Sequence, residues 1–195
     1  MSVEDRDGAQ ALVYLDRLGL AANSDPAVLL LQSRTLALNG QCSDAARLLA
    51  PLEAQANGGP SVPFSAGLAL AECHLYAQAE EFFTRALDAD PGNFDALYNL
   101  GLAALEAAHA DRATSVLEAA RRQRPEDTDC LYALSRAYLK QERLADAVAL
   151  LAKAQKLAPE QTEVLLLLAE VSFRIEFYED AAAAYAEAGR RRCPP

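Results

Sequence analysis

Proline recurs 34 residues apart at Pro91, Pro125 and Pro159, and alanine keeps the same interval at Ala45, Ala79, Ala113, Ala147 and Ala181. A fixed period of this length restricts the chain to an array of like units, since a segment so short cannot bury its apolar face alone and must stack on its neighbours. Superimposing the units aligns small residues at the eighth place, Ser33, Gly67, Gly101, Ser135 and Ala169. The recurring alanines fall at the twentieth. Two antiparallel helices approach closely only where neither presents bulk, so these two places mark where paired helices cross. The twenty-fourth place is bulky instead, with Leu49, Phe83, Leu117, Leu151 and Tyr185 expected to fill the space beyond the crossing. Small residues return at the twenty-seventh place, where Ala86, Ala120, Ala154 and Ala188 leave room for the next unit to stack.

The period predicts an all-α chain of five helical pairs, 26–59, 60–93, 94–127, 128–161 and 162–195. Residues 1–25 hold a lone helix over Gly8–Leu20, with Ala11, Leu12, Leu15 and Leu18 on one buried stripe. Stepping the period back from Ala45 and Leu49 reaches Ala11 and Leu15, so this helix takes the place of a second helix whose partner is missing. It is a half-repeat or a cap, which makes eleven helices in all. Ser24 or Asp25 is available to cap the next helix, and Pro26 suits its first turn. Gly40 is expected to take the left-handed conformation of a tight hairpin. Pro51 is expected to kink or end the second helix of the first pair.

This pattern resembles the tetratricopeptide repeat family, most directly in Tyr98-Asn-Leu-Gly101 followed by Ala113, Leu117, Ala120 and Pro125. The resemblance implies a right-handed superhelical solenoid in which the first helix of each pair lines a concave groove for peptide segments of partners. The family's groove places, carried over residue by residue, fall on Phe64 and Leu68 in the second pair and on Tyr98, Asn99, Leu102 and Leu105 in the third. They fall on Tyr132, Arg136 and Lys140 in the fourth pair, and on Arg174 in the fifth. The lysine and asparagine clamp that grips a terminal carboxylate in some members is absent, because the fifth places are Leu30, Phe64, Tyr98, Tyr132 and Leu166. Phe64, Tyr98 and Tyr132 would instead form an aromatic strip, or else pack between adjacent first helices. Asn99 can donate and accept at once, which suits an extended peptide backbone. Arg136 and Lys140 share a helical face with Arg174 expected nearby. They either hold an acidic ligand group or pair with Asp129, Glu170 and Glu106.

Charge and composition narrow the function further. A net charge of −10 disfavours nucleic acid and anionic membranes, both of which need a concentrated basic surface, and favours a basic or neutral protein or peptide partner. Arg190-Arg-Arg192 is basic but ends a helix, where positive charge complements the macrodipole. The residues 1–10 are acidic where a signal peptide would be basic and then apolar, and the longest apolar run, Val164–Ala169, is too short to cross a bilayer. Cys42, Cys73, Cys130 and Cys193 are scattered, with no C-x-x-C pair, which argues against a zinc site or a disulfide framework and for a reducing, cytoplasmic setting. His74 and His109 fall at short turns, and no phosphate loop, nucleophile elbow or zinc motif occurs.

The resulting expectation is a non-catalytic interaction scaffold without a cofactor. The alternatives are a regulatory or targeting segment of a larger enzyme and a self-associating module. In the latter, two copies would pair as a homodimer through the face of the last pair that bears Ala182, Tyr185 and Ala186.

Overall fold

A computed structural model describes residues 25–53 and 59–192. Ten helices and no strand occur among the described residues. They are α1 (Pro26–Leu38), α2 (Cys42–Glu53), α3 (Ser61–Glu72), α4 (Tyr76–Ala89), α5 (Phe94–Glu106), α6 (Ala110–Gln123), α7 (Thr128–Lys140), α8 (Leu144–Leu157), α9 (Thr162–Arg174) and α10 (Tyr178–Arg192). The helix expected over Gly8–Leu20 lies outside the described residues. The chain divides into two units, 1–107 and 108–195. In the first, α1 packs on α2 and α3, α2 on α3, α3 on α4, and α4 on α5. In the second, each helix from α6 to α9 packs on the one that follows it.

The residues at the helix crossings are buried as their size requires. Ser33, Ser135 and Ala169 are fully enclosed, as are Ala79, Ala113 and Ala147, with Ala45 and Ala181 close to it. The two serine hydroxyls donate back to the carbonyls of Leu30 and Tyr132, at 3.0 and 2.6 Å, so the small polar residue leaves no unmet donor. Gly67 shows how tight a crossing is: a Cβ built on it would lie 2.7 Å from the ring of Phe83, itself fully buried. Leu49, Leu117 and Leu151 are buried like Phe83, whereas Tyr185 is exposed, because no described helix packs over that face of α10.

Helix ends repeat as well. Asp25, Asn93 and Asp127 cap α1, α5 and α7, their side chains accepting from Ala27, Ala96 and Cys130 amides at 2.8, 2.9 and 2.8 Å. Each hairpin turns on a left-handed residue at the fifteenth place, and only the first uses glycine. The five are Gly40, His74, Ala108, Glu142 and Glu176, with φ of 72°, 57°, 63°, 57° and 65°. At Gly40, His74, Glu142 and Glu176 that residue donates its N–H to the carbonyl three positions back. The next amide donates to the carbonyl five positions back, which closes a Schellman motif and satisfies the terminal carbonyls. Pro51 sits in the last turn of α2, which continues past it to end at Glu53.

One expectation is overturned. Cys42 and Cys73 are joined by a disulfide with their Cα atoms 5.4 Å apart. It ties the start of α2 to the residue that caps α3, next to Ala37 and Ala45 and with Leu36 and Leu75 packed against it. The two thiols stand 31 residues apart, so no local spacing announces them; they meet because α2 stacks on α3. Two of the four cysteines are therefore oxidised and do not speak for a reducing compartment.

Two stability experiments follow from this packing. Gly67→Ala is expected to lower stability by about 1–3 kcal/mol through its clash with Phe83. Gly189→Ala, in α10 with open space around it, should raise stability by about 0.5–1 kcal/mol; urea midpoints of both variants check the two signs. Cys42→Ser should cost about 2–4 kcal/mol under oxidising conditions. Adding reductant should bring the parent protein down to the level of the variant, and equal midpoints without reductant would mean that the bond contributes nothing.

Candidate peptide-binding surface

Amphipathic spacing decides which side of each first helix faces water. On α3 the exposed or half-buried positions include Ser61, Phe64, Ser65, Leu68 and Glu72. On α5 they include Asp95, Tyr98, Asn99, Leu102 and Glu106, and on α7 Asp129, Tyr132, Arg136, Leu139 and Lys140. Nine of the ten expected groove residues lie on such outward stripes: Phe64, Leu68, Tyr98, Asn99, Leu102, Tyr132 and Arg136 are half-buried, and Lys140 and Arg174 are exposed. The tenth, Leu105, is buried in the core.

The local contacts of these residues differ from one another. In the first unit, Phe64 leans on Phe83 of its own helical pair, the rings 5.8 Å apart and tilted by 55°. Tyr98 lies parallel to Phe94, one turn earlier on α5, at 6.1 Å. Each ring is thus braced from within its own pair, with an outer edge still accessible. Asn99 donates one amide N–H to the Asp95 carbonyl at 2.8 Å. That bond steadies the side chain and leaves its carbonyl oxygen and second N–H to meet a peptide backbone.

In the second unit, Tyr132, Arg136 and Lys140 follow one another at four-residue intervals on α7. Arg174 on α9 reaches back to Glu142 in the preceding hairpin, at 2.6 Å, rather than to Asp129 or Glu170. Asp129 accepts instead from Gln161 at 3.2 Å. Tyr138 donates its hydroxyl to Glu118 at 2.7 Å, fixing α7 against α6, and the guanidinium of Arg143 lies over the Tyr138 ring at 4.0 Å. Burial and the neighbouring Glu118 push the Tyr138 phenol above its ordinary value, so it stays a donor.

Among the described residues, no cysteine is placed as a nucleophile. Cys130 is fully buried, its thiol directed at the Leu117 carbonyl at 3.7 Å. Burial, and then the Asp127 carboxylate, push that thiol from 9.0 up to about 11, with Arg121 acting the other way. Among the described residues, no His, Cys, Asp and Glu side chains gather in a group able to hold a metal ion. Sequence reasoning passed over Phe177 and Tyr178, two exposed aromatics directly after the last hairpin turn. Their signal was adjacency to Glu176 at a place where the other pairs carry at most one ring.

Comparison with known proteins agrees with this architecture. Residues 72–154 match the family described as anaphase-promoting complex, cyclosome, subunit 3, and residues 132–195 match the family described as tetratricopeptide repeat. The chain belongs to the tetratricopeptide repeat family. Among solved structures it is similar to "MamA 41-end from Desulfovibrio magneticus RS-1", with 27% identity and a TM-score of 0.75 over 86% of this chain and 96% of that one. The structure described as "MamA RS-1 ArsTM double mutant" is similar at 26% identity, with a TM-score of 0.74 over 86% and 95% of the two chains. That described as "MamA AMB-1 P212121", at 20% identity and a TM-score of 0.68 over 85% and 90%, shares the fold. No curated protein matches the sequence significantly.

The Cys130 thiol gives a pH test. An unfolded thiol ionises near 9.0 and the folded one near 11, so the unfolded chain releases its proton first. This contribution to stability is whole below about pH 9 and disappears as the pH rises through about 11. Chemical denaturation across that range should show a fall that is shallower in Cys130→Ala, and equal slopes would exclude the thiol as its source.

Proposed function

We propose that this protein is a non-catalytic interaction scaffold whose outward stripes, on α3 and α5 of the first unit and on α7 of the second, each bind extended peptide segments of partner proteins. The observation that carries the reading is the state of Tyr98 and Asn99: half-buried, braced by Phe94 and Asp95, and still turned toward solvent on one helix face. A ring and an amide held in place before binding lose little freedom when a ligand arrives. In the first unit Phe64, Leu68 and Leu102 add apolar surface for spaced side chains; in the second Tyr132 adds a ring, and Arg136 and Lys140 add positive charge on the same helix. Leu105, in the core, supports the stripe and makes no contact of its own with a ligand.

The membership of the family and the likeness to the MamA structures support a scaffold. The acidic balance of the chain speaks against nucleic acid as the ligand, and among the described residues no helix is long and apolar enough to cross a membrane. A second reading is favoured by one observation: α10 leaves Ala182, Tyr185 and Ala186 exposed along one face, a surface on which two copies could pair.

The test is an affinity capture of partners with the parent protein and with a variant carrying Phe64→Ala, Tyr98→Ala and Tyr132→Ala, its folding verified by circular dichroism. A partner of the groove should bind the variant about tenfold more weakly or worse. Undiminished capture by a folded variant would refute the groove. Light scattering of the same samples over a range of concentrations decides the second reading, which a constant monomer mass excludes.

A further inference from the structure

The last helical pair carries a second surface, on the side of α9 turned away from Leu166 and Glu170. Leu168 and Ser172 of α9 floor a cleft of about 400 Å³ whose walls are α8, with Val148 and Ala152, and α10, with Ala183 and Ala184. Its lining also includes Phe177 and Asp180. The same two residues border a smaller hollow of about 300 Å³, completed by Glu176, Tyr178 and Glu179. A slot of mixed lining, with Gln155 and Glu187 beside its apolar side chains, thus opens directly beside an aromatic and acidic one.

Three rings stand exposed around this hairpin: Phe173, Phe177 and Tyr178 are 59%, 58% and 56% accessible, with Phe173 and Tyr178 edge to face at 5.5 Å. Exposed aromatics clustered this densely, beside a preformed slot, are a feature of interaction surfaces. Glu176, Glu179 and Asp180 surround them, all exposed, and none of their carboxylates takes part in a hydrogen bond or an ion pair among the described residues.

The register of the repeat shows what is missing. Asp44 and Asp146 occupy the same place in their pairs as Asp180 does in the last, and each has a cation: Arg47 at 3.1 Å and Arg143 at 2.7 Å. Arg143 lies at the sixteenth place and spreads over the ring of Tyr138 while it holds Asp146. In the last pair the sixteenth place is Phe177. The place of Tyr138 is taken there by Ser172, so the ring of that arrangement is not repeated; Asp180 stands instead near Phe173, Phe177 and Tyr178, with no cation bonded to it among the described residues.

We propose that this surface docks a basic segment of a partner protein. One apolar side chain of the segment enters the cleft between α8 and α10, and the adjoining Lys or Arg lies over Phe177 and Tyr178 among Glu176, Glu179 and Asp180. A cation over an aromatic face is held by the ring quadrupole, and the nearby carboxylates reinforce it. The net charge of −10 steers a basic segment toward the chain and repels an acidic one. This site is separate from the α3, α5 and α7 stripes, and the two stand or fall independently.

The experiment pans a random dodecapeptide display library on the full chain, then measures the enriched peptides, fluorescently labelled, by anisotropy. Enriched peptides should place Lys or Arg next to a large apolar residue and weaken with added salt. Binding should drop about tenfold or more in Asp180→Lys and in Phe177→Ala and stay unchanged in Tyr98→Ala. These side chains are exposed, so the variants should keep their helix content. Amide shift mapping on the parent protein, with perturbation expected over residues 177–184, gives an answer that does not depend on any variant. Four results would overturn the proposal: no enrichment, enriched peptides without basic residues, full affinity for both variants, or loss only in Tyr98→Ala. A concentration-dependent doubling of mass that Phe177→Ala abolishes would do so too, by naming a second copy as the occupant.

Discussion

Close approach of helices at small residues is the constraint on which everything else in this protein rests. Where Gly67 faces Phe83 there is no room for one more carbon, and Ser33, Ser135 and Ala169 are enclosed just as fully. Serine is tolerated at such a crossing because its hydroxyl returns to a carbonyl of its own helix. With the crossing settled, the bulky twenty-fourth residue has a defined space to fill. Leu49, Phe83, Leu117 and Leu151 fill it, and a full core is rebuilt once per pair instead of once per domain.

The hairpin turns serve the same constraint from the other side. A tight reversal requires a left-handed residue, and His74, Ala108, Glu142 and Glu176 adopt that conformation although glycine would do so with less strain. They are held there by the paired helices and, at His74, Glu142 and Glu176, by the two Schellman bonds. The turn also sets what comes next: the second helix begins two residues after it, and the residues at that start sit at the rim of the pair. Cys42 at such a rim reaches Cys73, Arg143 covers Tyr138, and Phe177 is left facing solvent.

Function in such an array is carried by whatever the packing leaves over. The first helices turn one side to the core and keep Phe64, Tyr98, Asn99, Tyr132 and Arg136 half covered, neither free to wander nor sealed off. Arg174 shows the opposite case, since its guanidinium is already committed to Glu142. The proposed peptide surface rests on exposure together with bracing, and not on charge alone. Asp180 differs from Asp44 and Asp146, which occupy the same register and are paired with arginines, in having no ion pair among the described residues.

Much of this was legible in the residues themselves. The recurrence of Ala45, Ala79, Ala113, Ala147 and Ala181 announces paired helices and their crossings, because a steric requirement repeated at a fixed interval leaves its mark on each copy. Ser24-Asp25 and Gly40 announce a cap and a turn, because those depend on the chain within a few residues, and the structure selects Asp25 as the cap. Other features depend on what stands beside a residue in space. Leu105 reads as a groove position yet lies in the core, and Tyr185 shares the register of the buried Leu49, Phe83, Leu117 and Leu151 yet lies at the surface. The disulfide between Cys42 and Cys73 joins residues that only the stacking of α2 on α3 brings within reach. The sequence by itself therefore determined the repeating helical pair, whose rules are local. Only the tertiary structure decided which side chains were covered, bonded or left open, since those outcomes belong to neighbours that the chain reaches by folding.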